Sequence, residues 1–117
     1  MNRALFSTTN INALSEKSGI AKDQIDFFVF HQANKLINES VRKKLKLEPA
    51  KCPYSIDVFG NTSSASIPLT MCYMLRNELQ SKKLTLLLSG FGVGFSWGSV
   101  IIGTENLYSS LIEYDRP

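Results

Sequence analysis

At 117 residues, 44% hydrophobic and 20% charged, the chain has the length for one buried core and the composition of an ordered globular domain, which excludes a disordered segment. No apolar run approaches the ~20 residues of a membrane helix, and no basic segment leads into an apolar one at the N-terminus, so a cytoplasmic protein is expected. The formal net charge is +3, and it is local: Lys35, Arg42, Lys43, Lys44 and Lys46 stand against Glu39 alone in one segment, which leaves the remainder slightly acidic and, without interleaved aromatics, argues against nucleic acid.

In chain order, Asn10 to Ser18 carries a short helix, with Thr8, Thr9 or Asn10 to cap it and Gly19 to end it. Ile25 to Phe30 is too short and too evenly apolar for an amphipathic helix and reads as a strand buried on both faces. Asn34 to Leu47 repeats Ile37, Val41 and Leu45 at i, i+4, with Pro49 following, and is a helix. Ser55 to Val58 reads as a short strand, and Phe59 to Pro68 as a loop in which Thr62, Ser63 or Ser64 can cap the next helix. That helix places Ile67, Met71, Met74, Leu75 and Leu79 on its apolar face, tolerates Pro68 near its first turn and ends near Ser81. Leu84 to Leu88 is a second apolar strand, "SGFGVG" a glycine-rich turn, and Phe95 to Ile102 a strand returning beside it. The order is that of a layered α/β half-domain that packs against a partner half.

Chemistry concentrates in three stretches. The apolar run of "DFFVFHQANK" ends on His31, the chain's one histidine, placed where the carboxyl end of a buried strand meets a helix, the side of α/β sheets on which ligands bind. A lone histidine is more often a structural hydrogen-bonder, and an asparagine after glycine, such as Asn61, is by default a turn residue. Together, however, a carboxamide and an imidazole can donate to an oxygen on which negative charge develops, which stabilises an enolate without a metal. The glycines of "SGFGVGFSWG" lie between two strands, which weakens a nucleotide-binding reading; a turn that brings backbone N–H groups to a ligand and a plain hairpin both fit. Lys35, Arg42 and Lys46 share a helix face with Glu39, suited either to phosphates or an acidic protein or simply to solvent. Cys52 and Cys72 form no CxxC and have no histidine at ligand spacing, so neither a metal site nor a disulfide is expected.

Taken in order, "FHQAN" after a strand, "GNTSSASIP" leading into a helix and "GFGVGFSWGS" between two closing strands resemble the C-terminal half of the 3-oxoacyl-(acyl-carrier-protein) synthase III family, over Leu14 to Ile102. The resemblance implies an α/β chain forming the C-terminal half of a thiolase-like layered fold, a mixed sheet packed with helices, with residues 1–103 as that domain and 104–117 as a tail. It implies a decarboxylating, Claisen-condensing acyltransferase of fatty acid or related lipid biosynthesis, in which a cysteine takes an acyl group from coenzyme A and malonyl-carrier protein condenses with it. His31 and Asn61 would bind the malonyl thioester oxygen. Gln32, Ala33, Asn34, Lys35 and Leu36 would contact the carrier protein, with Leu36 standing where a basic residue is common and Lys35 or Arg42 as substitutes. Phe91, Gly92, Val93 and Gly94 would form an oxyanion loop.

The resemblance implies no cofactor and no metal; the coenzyme A thioester and malonyl-carrier protein are substrates. In that family the nucleophilic cysteine comes from the N-terminal half, at the start of a buried helix, a context that neither Cys52 in "KCPYS" nor Cys72 shares. Both are read as structural. The chain is therefore expected to be part of a longer enzyme, inactive alone, pairing with the missing half and forming a homodimer. The alternatives are a free-standing module that binds carrier protein or coenzyme A through Lys35, Arg42 and Lys46 without turnover, and a half that serves only to dimerise.

Overall fold

The computed structural model describes residues 3–92, 96–112 and 114. Among the described residues, the α-helices and strands follow in the order α1 (Arg3–Ser18), β1 (Phe27–Phe30), α2 (Lys35–Lys44), α3 (Ile56–Phe59), α4 (Ser66–Met74), α5 (Arg76–Ser81), β2 (Lys83–Gly92) and β3 (Ser96–Glu105), with short 3-10 turns between some of them. The three strands form one mixed sheet in the order β1-β2-β3. β1 runs parallel to β2 with Phe28 opposite Leu87 and Phe30 opposite Ser89, and β3 returns antiparallel along the whole of β2.

Alternation along the strands feeds two cores, one on each face. Phe28, Phe30 and Leu87 pack with Ile11 of α1 and Val41 of α2. Phe27, Val29, Leu84 and Leu86 pack on the other face with Met71 of α4 and Leu79 of α5. The sheet is thus sandwiched between two helical layers, and the evenly apolar β1 is buried on both faces, which is why it lacks a strand's usual apolar-polar alternation.

Several boundaries differ from the expectation. α1 begins at Arg3, seven residues before Asn10, and the Thr8 and Thr9 hydroxyls cap nothing: they donate back to the carbonyls of Ala4 (2.7 Å) and Leu5 (2.9 Å), one turn earlier. Gly19 does follow the helix end, in the left-handed region at φ 71°. Ser55 to Val58 is not a strand. Its β-branched residues suggested one, but the backbone turns into α3, with Phe59 N–H donating to Ser55 O and Gly60 N–H to Ile56 O (both 2.9 Å). The long helix expected to run to Ser81 is broken at the buried Leu75, whose φ of −116° leaves the helical region, although the apolar spacing carries through both pieces. β2 extends through Gly92, well into the glycine-rich stretch. Past Gly103, β3 continues to Glu105, and the segment beyond is tied to α5: Leu107 N–H donates to Leu79 O and Gln80 Nε2 to Ser109 O, both at 2.7 Å.

Candidate active site

His31 directly follows β1. Its backbone N–H donates to Ser89 O (2.9 Å), extending the strand pairing by one residue, and Ala33 N–H then closes a turn on His31 O (3.1 Å). The imidazole is half-buried, with Nδ1 2.6 Å from the Ser66 hydroxyl and its ring edge-on to Phe91 at 5.5 Å between centroids. Burial holds its pKa below the ordinary histidine value of 6.5, because desolvation disfavours the imidazolium, so the ring faces its surroundings neutral at neutral pH.

Asn61 reaches the same place from an exposed loop. Gly60 before it sits at φ 67°, ψ −156°, a backbone state that a side chain makes costly. The Asn61 carboxamide accepts from Ser63 N–H at 2.8 Å. A backbone amide can only donate, so the side-chain oxygen faces inward and the Nδ2 hydrogens are the ones left to donate. His31 and Asn61 line one open cleft of about 800 Å³ with Ala33, Ser63, Ser64, Ser66, Ile67, Gly90, Phe91 and Gly92. A neutral imidazole and a carboxamide thus line the same cleft. Phe91 and Gly92 line it as the last residues of β2; Val93 and Gly94 lie outside the described residues.

The stretch expected to touch a carrier protein divides in two. Gln32 corrects the expectation: it is fully buried, donating to Phe30 O (2.7 Å) and accepting from Ser55 N–H (3.1 Å), so its side chain presents nothing at the surface. Ala33 lines the cleft, Asn34 caps α2 through Leu36 N–H (2.8 Å), Lys35 pairs with Asp57 (2.9 Å) and Leu36 is 81% exposed. The basic stripe is also interrupted. Arg42 is turned onto Glu39 and donates to Leu47 O (2.9 Å), while Tyr54 donates to the same carboxylate (2.9 Å). Hydrogen bonds from Arg42 first and Tyr54 second hold the Glu39 carboxyl below the usual range, and Glu39 in turn raises Arg42. Arg42 is thus a structural partner, and Lys46 lies beyond α2 at φ 57°, so the three cations share no continuous face.

Neither cysteine lines the cleft. Cys52 is in the core, where burial pushes its thiol up to about 12, unfit for a nucleophile at neutral pH. The residue that sequence reasoning missed is Ser66. By sequence it belongs to a capping loop, whereas in the fold it is 1% exposed and bonded to the histidine. Its signal was a run of small polar residues entering a helix that is otherwise apolar.

A strand-end histidine and a loop carboxamide facing one cleft, on a mixed sheet between two helical layers, define the C-terminal unit of a thiolase-like fold. The family described as 3-oxoacyl-[acyl-carrier-protein (ACP)] synthase III C terminal matches residues 15–104, and the chain belongs to it. It is 46% identical over 87 residues to beta-ketoacyl-[acyl-carrier-protein] synthase III of Staphylococcus epidermidis, an alignment covering 74% of this chain and 28% of that protein. Against the protein of the same name from Campylobacter curvus it is 40% identical over 103 residues, covering 86% and 31%. The crystal structure of a 3-oxoacyl-(acyl-carrier protein) synthase from Burkholderia xenovorans LB400 superposes with a TM-score of 0.87 at 36% identity, covering 92% of this chain and 31% of that one. The chain thus spans under a third of the length of these relatives.

Proposed function

We propose that this chain supplies the histidine and asparagine side of a 3-oxoacyl-(acyl-carrier-protein) synthase III, an acyltransferase that joins an acyl group from coenzyme A to malonyl-carrier protein in fatty acid or related lipid synthesis. The observation that carries the reading is that His31 and Asn61, far apart in sequence, line one cleft. The malonyl thioester oxygen sits between the His31 imidazole N–H and the Asn61 Nδ2–H. Loss of carbon dioxide leaves its bonding electron pair on the former methylene carbon, delocalised onto that oxygen, and the two donors stabilise the enolate. The enolate carbon then attacks the carbonyl of an acyl group held as a cysteine thioester, forming the carbon–carbon bond and releasing the thiolate. Neither Cys52 nor Cys72 serves as that cysteine; it comes from a partnering N-terminal half, and the chain alone is inactive.

The backbone N–H groups at Phe91 and Gly92 contribute to the oxyanion environment. Ala33, Asn34, Lys35 and Leu36 form the rim that meets the carrier protein, with the Leu36 side chain offering an apolar contact and Lys35 the nearest cation. The assembled enzyme is a cytoplasmic homodimer that works without a metal or organic cofactor. The test pairs this domain with the cysteine-bearing N-terminal part of the Staphylococcus epidermidis relative and follows carbon dioxide release from a malonyl thioester. His31→Ala should lower that rate at least about 100-fold; an unchanged rate overturns the assignment.

A further inference from the structure

The Ser66 hydroxyl has one proton and two lone pairs to place, and it is 1% exposed, so protein groups must take them. One lone pair is taken by Gln32 N–H at 3.2 Å. Thr70 Oγ1 donates to the Ser66 carbonyl (2.7 Å), and with its proton so used it accepts from the Ser55 hydroxyl (2.7 Å), which fixes the direction of the network behind the histidine. Among the described residues, the one acceptor within reach of the Ser66 hydroxyl proton is His31 Nδ1, at 2.6 Å. Were the imidazole the donor across that contact, Ser66 Oγ would accept twice and its own proton would have no acceptor among the described residues.

We propose that Ser66 is a positioning residue for His31: its hydroxyl donates to Nδ1 and so fixes the neutral imidazole as the tautomer that carries its proton on Nε2, the nitrogen left for a ligand in the cleft. Gln32 N–H and Thr70 hold Ser66 in place from either side, so the ring's orientation is set by a buried network that connects the end of β1, the start of α3 and the first turns of α4. Depression of the imidazole pKa by burial keeps the ring in the neutral form in which tautomers differ. The catalytic meaning of this device rests on the proposed reaction: a protonated Nε2 can donate to an enolate oxygen, whereas the other tautomer would turn a lone pair toward it.

Because His31 is the chain's one histidine, its two ring nitrogens are read without assignment ambiguity. The experiment is a long-range proton–nitrogen correlation spectrum of the uniformly ¹⁵N-labelled full chain, recorded well above the histidine pKa without substrate. Nε2–H should dominate in the wild type; a dominant Nδ1–H form overturns the proposal. Ser66→Ala should move the tautomer ratio at least about tenfold toward Nδ1–H, the loss of roughly 1.4 kcal/mol of bias, and Ser66→Thr, which keeps the hydroxyl, should restore it. An unchanged ratio in a folded Ser66→Ala chain also overturns it, and if that variant fails to give a dispersed spectrum, the wild-type and Ser66→Thr spectra decide. The readout is independent of malonyl chemistry: decarboxylation that survives His31→Ala would overturn the proposed function and leave the tautomer result standing.

Discussion

His31 and Asn61 face the same cleft but are held there in different ways. His31 rides on a strand buried on both faces, its backbone is paired to Ser89, and its ring is bonded to a serine 35 residues further along the chain. Asn61 stands on an exposed loop, and its side-chain oxygen accepts from a backbone amide two residues away. The first wall depends on tertiary packing and the second on local backbone geometry. Damage to the core should therefore displace the histidine, while damage to the loop should displace the asparagine and leave the fold in place.

The largest effect should come from undercutting the first wall. Phe28 is fully buried between α1, α2 and the sheet, so Phe28→Ala removes packing and leaves a cavity. A loss of about 3–5 kcal/mol is expected in chemical denaturation of the chain. A loss below about 1 kcal/mol would mean that β1 is not the rigid mount described. On the second wall, Gly60→Ala meets no neighbour within 4 Å, so its cost comes from backbone strain at φ 67° alone. That cost should be of order 1–3 kcal/mol, with the His31 ring signals unmoved. If those signals shift as they do in Phe28→Ala, the two walls are not independent.

The same division decides what was legible in the sequence. The Gly60-Asn61 turn, the C′ Gly19 and the doubly buried β1 were readable because each follows from neighbouring residues: a positive φ, a helix stop, an unbroken apolar run. His31 and Asn61, singled out as a pair in the sequence, line one cleft. What was not legible depends on groups distant in sequence. Ser66, Gln32, Ser55 and Thr70 are ordinary polar residues until the fold stacks them, and Gln32, in the stretch expected to contact a carrier protein, has its side chain in the core. Glu39 is legible beside Arg42 on the same helix face, but helix angle says nothing of Tyr54, 15 residues away, donating to that carboxylate, or of Leu47 O taking the guanidinium. The misread α3 has the same cause: Ile56 and Val58 favour a strand, but the buried bonds of Ser55 to Gln32 and Thr70 fix the chain in a turn.

The smallest expected effect, and the sharpest for the comparison, is that of pH. The second wall holds no titratable side chain at Asn61, whereas the first holds His31, whose pKa is lowered in the folded chain by desolvation. The unfolded chain keeps the ordinary value of about 6.5. Between the folded pKa and that value the unfolded chain binds more protons, so stability should fall as pH drops through 6.5 and level off below the folded pKa. Above 6.5 both states are neutral and the histidine contributes no slope. Glu39, held down by Arg42 and Tyr54, contributes stability that is lost as pH falls below the usual carboxylate value, so the histidine window is the one that opens first on acidification from neutral pH. An NMR titration of the lone imidazole should give a midpoint below 6.5, and denaturation of the wild type and of His31→Gln across the same range should differ in slope only there. A midpoint at or above 6.5 would mean that solvent reaches the ring freely and that the packed wall of the cleft is open.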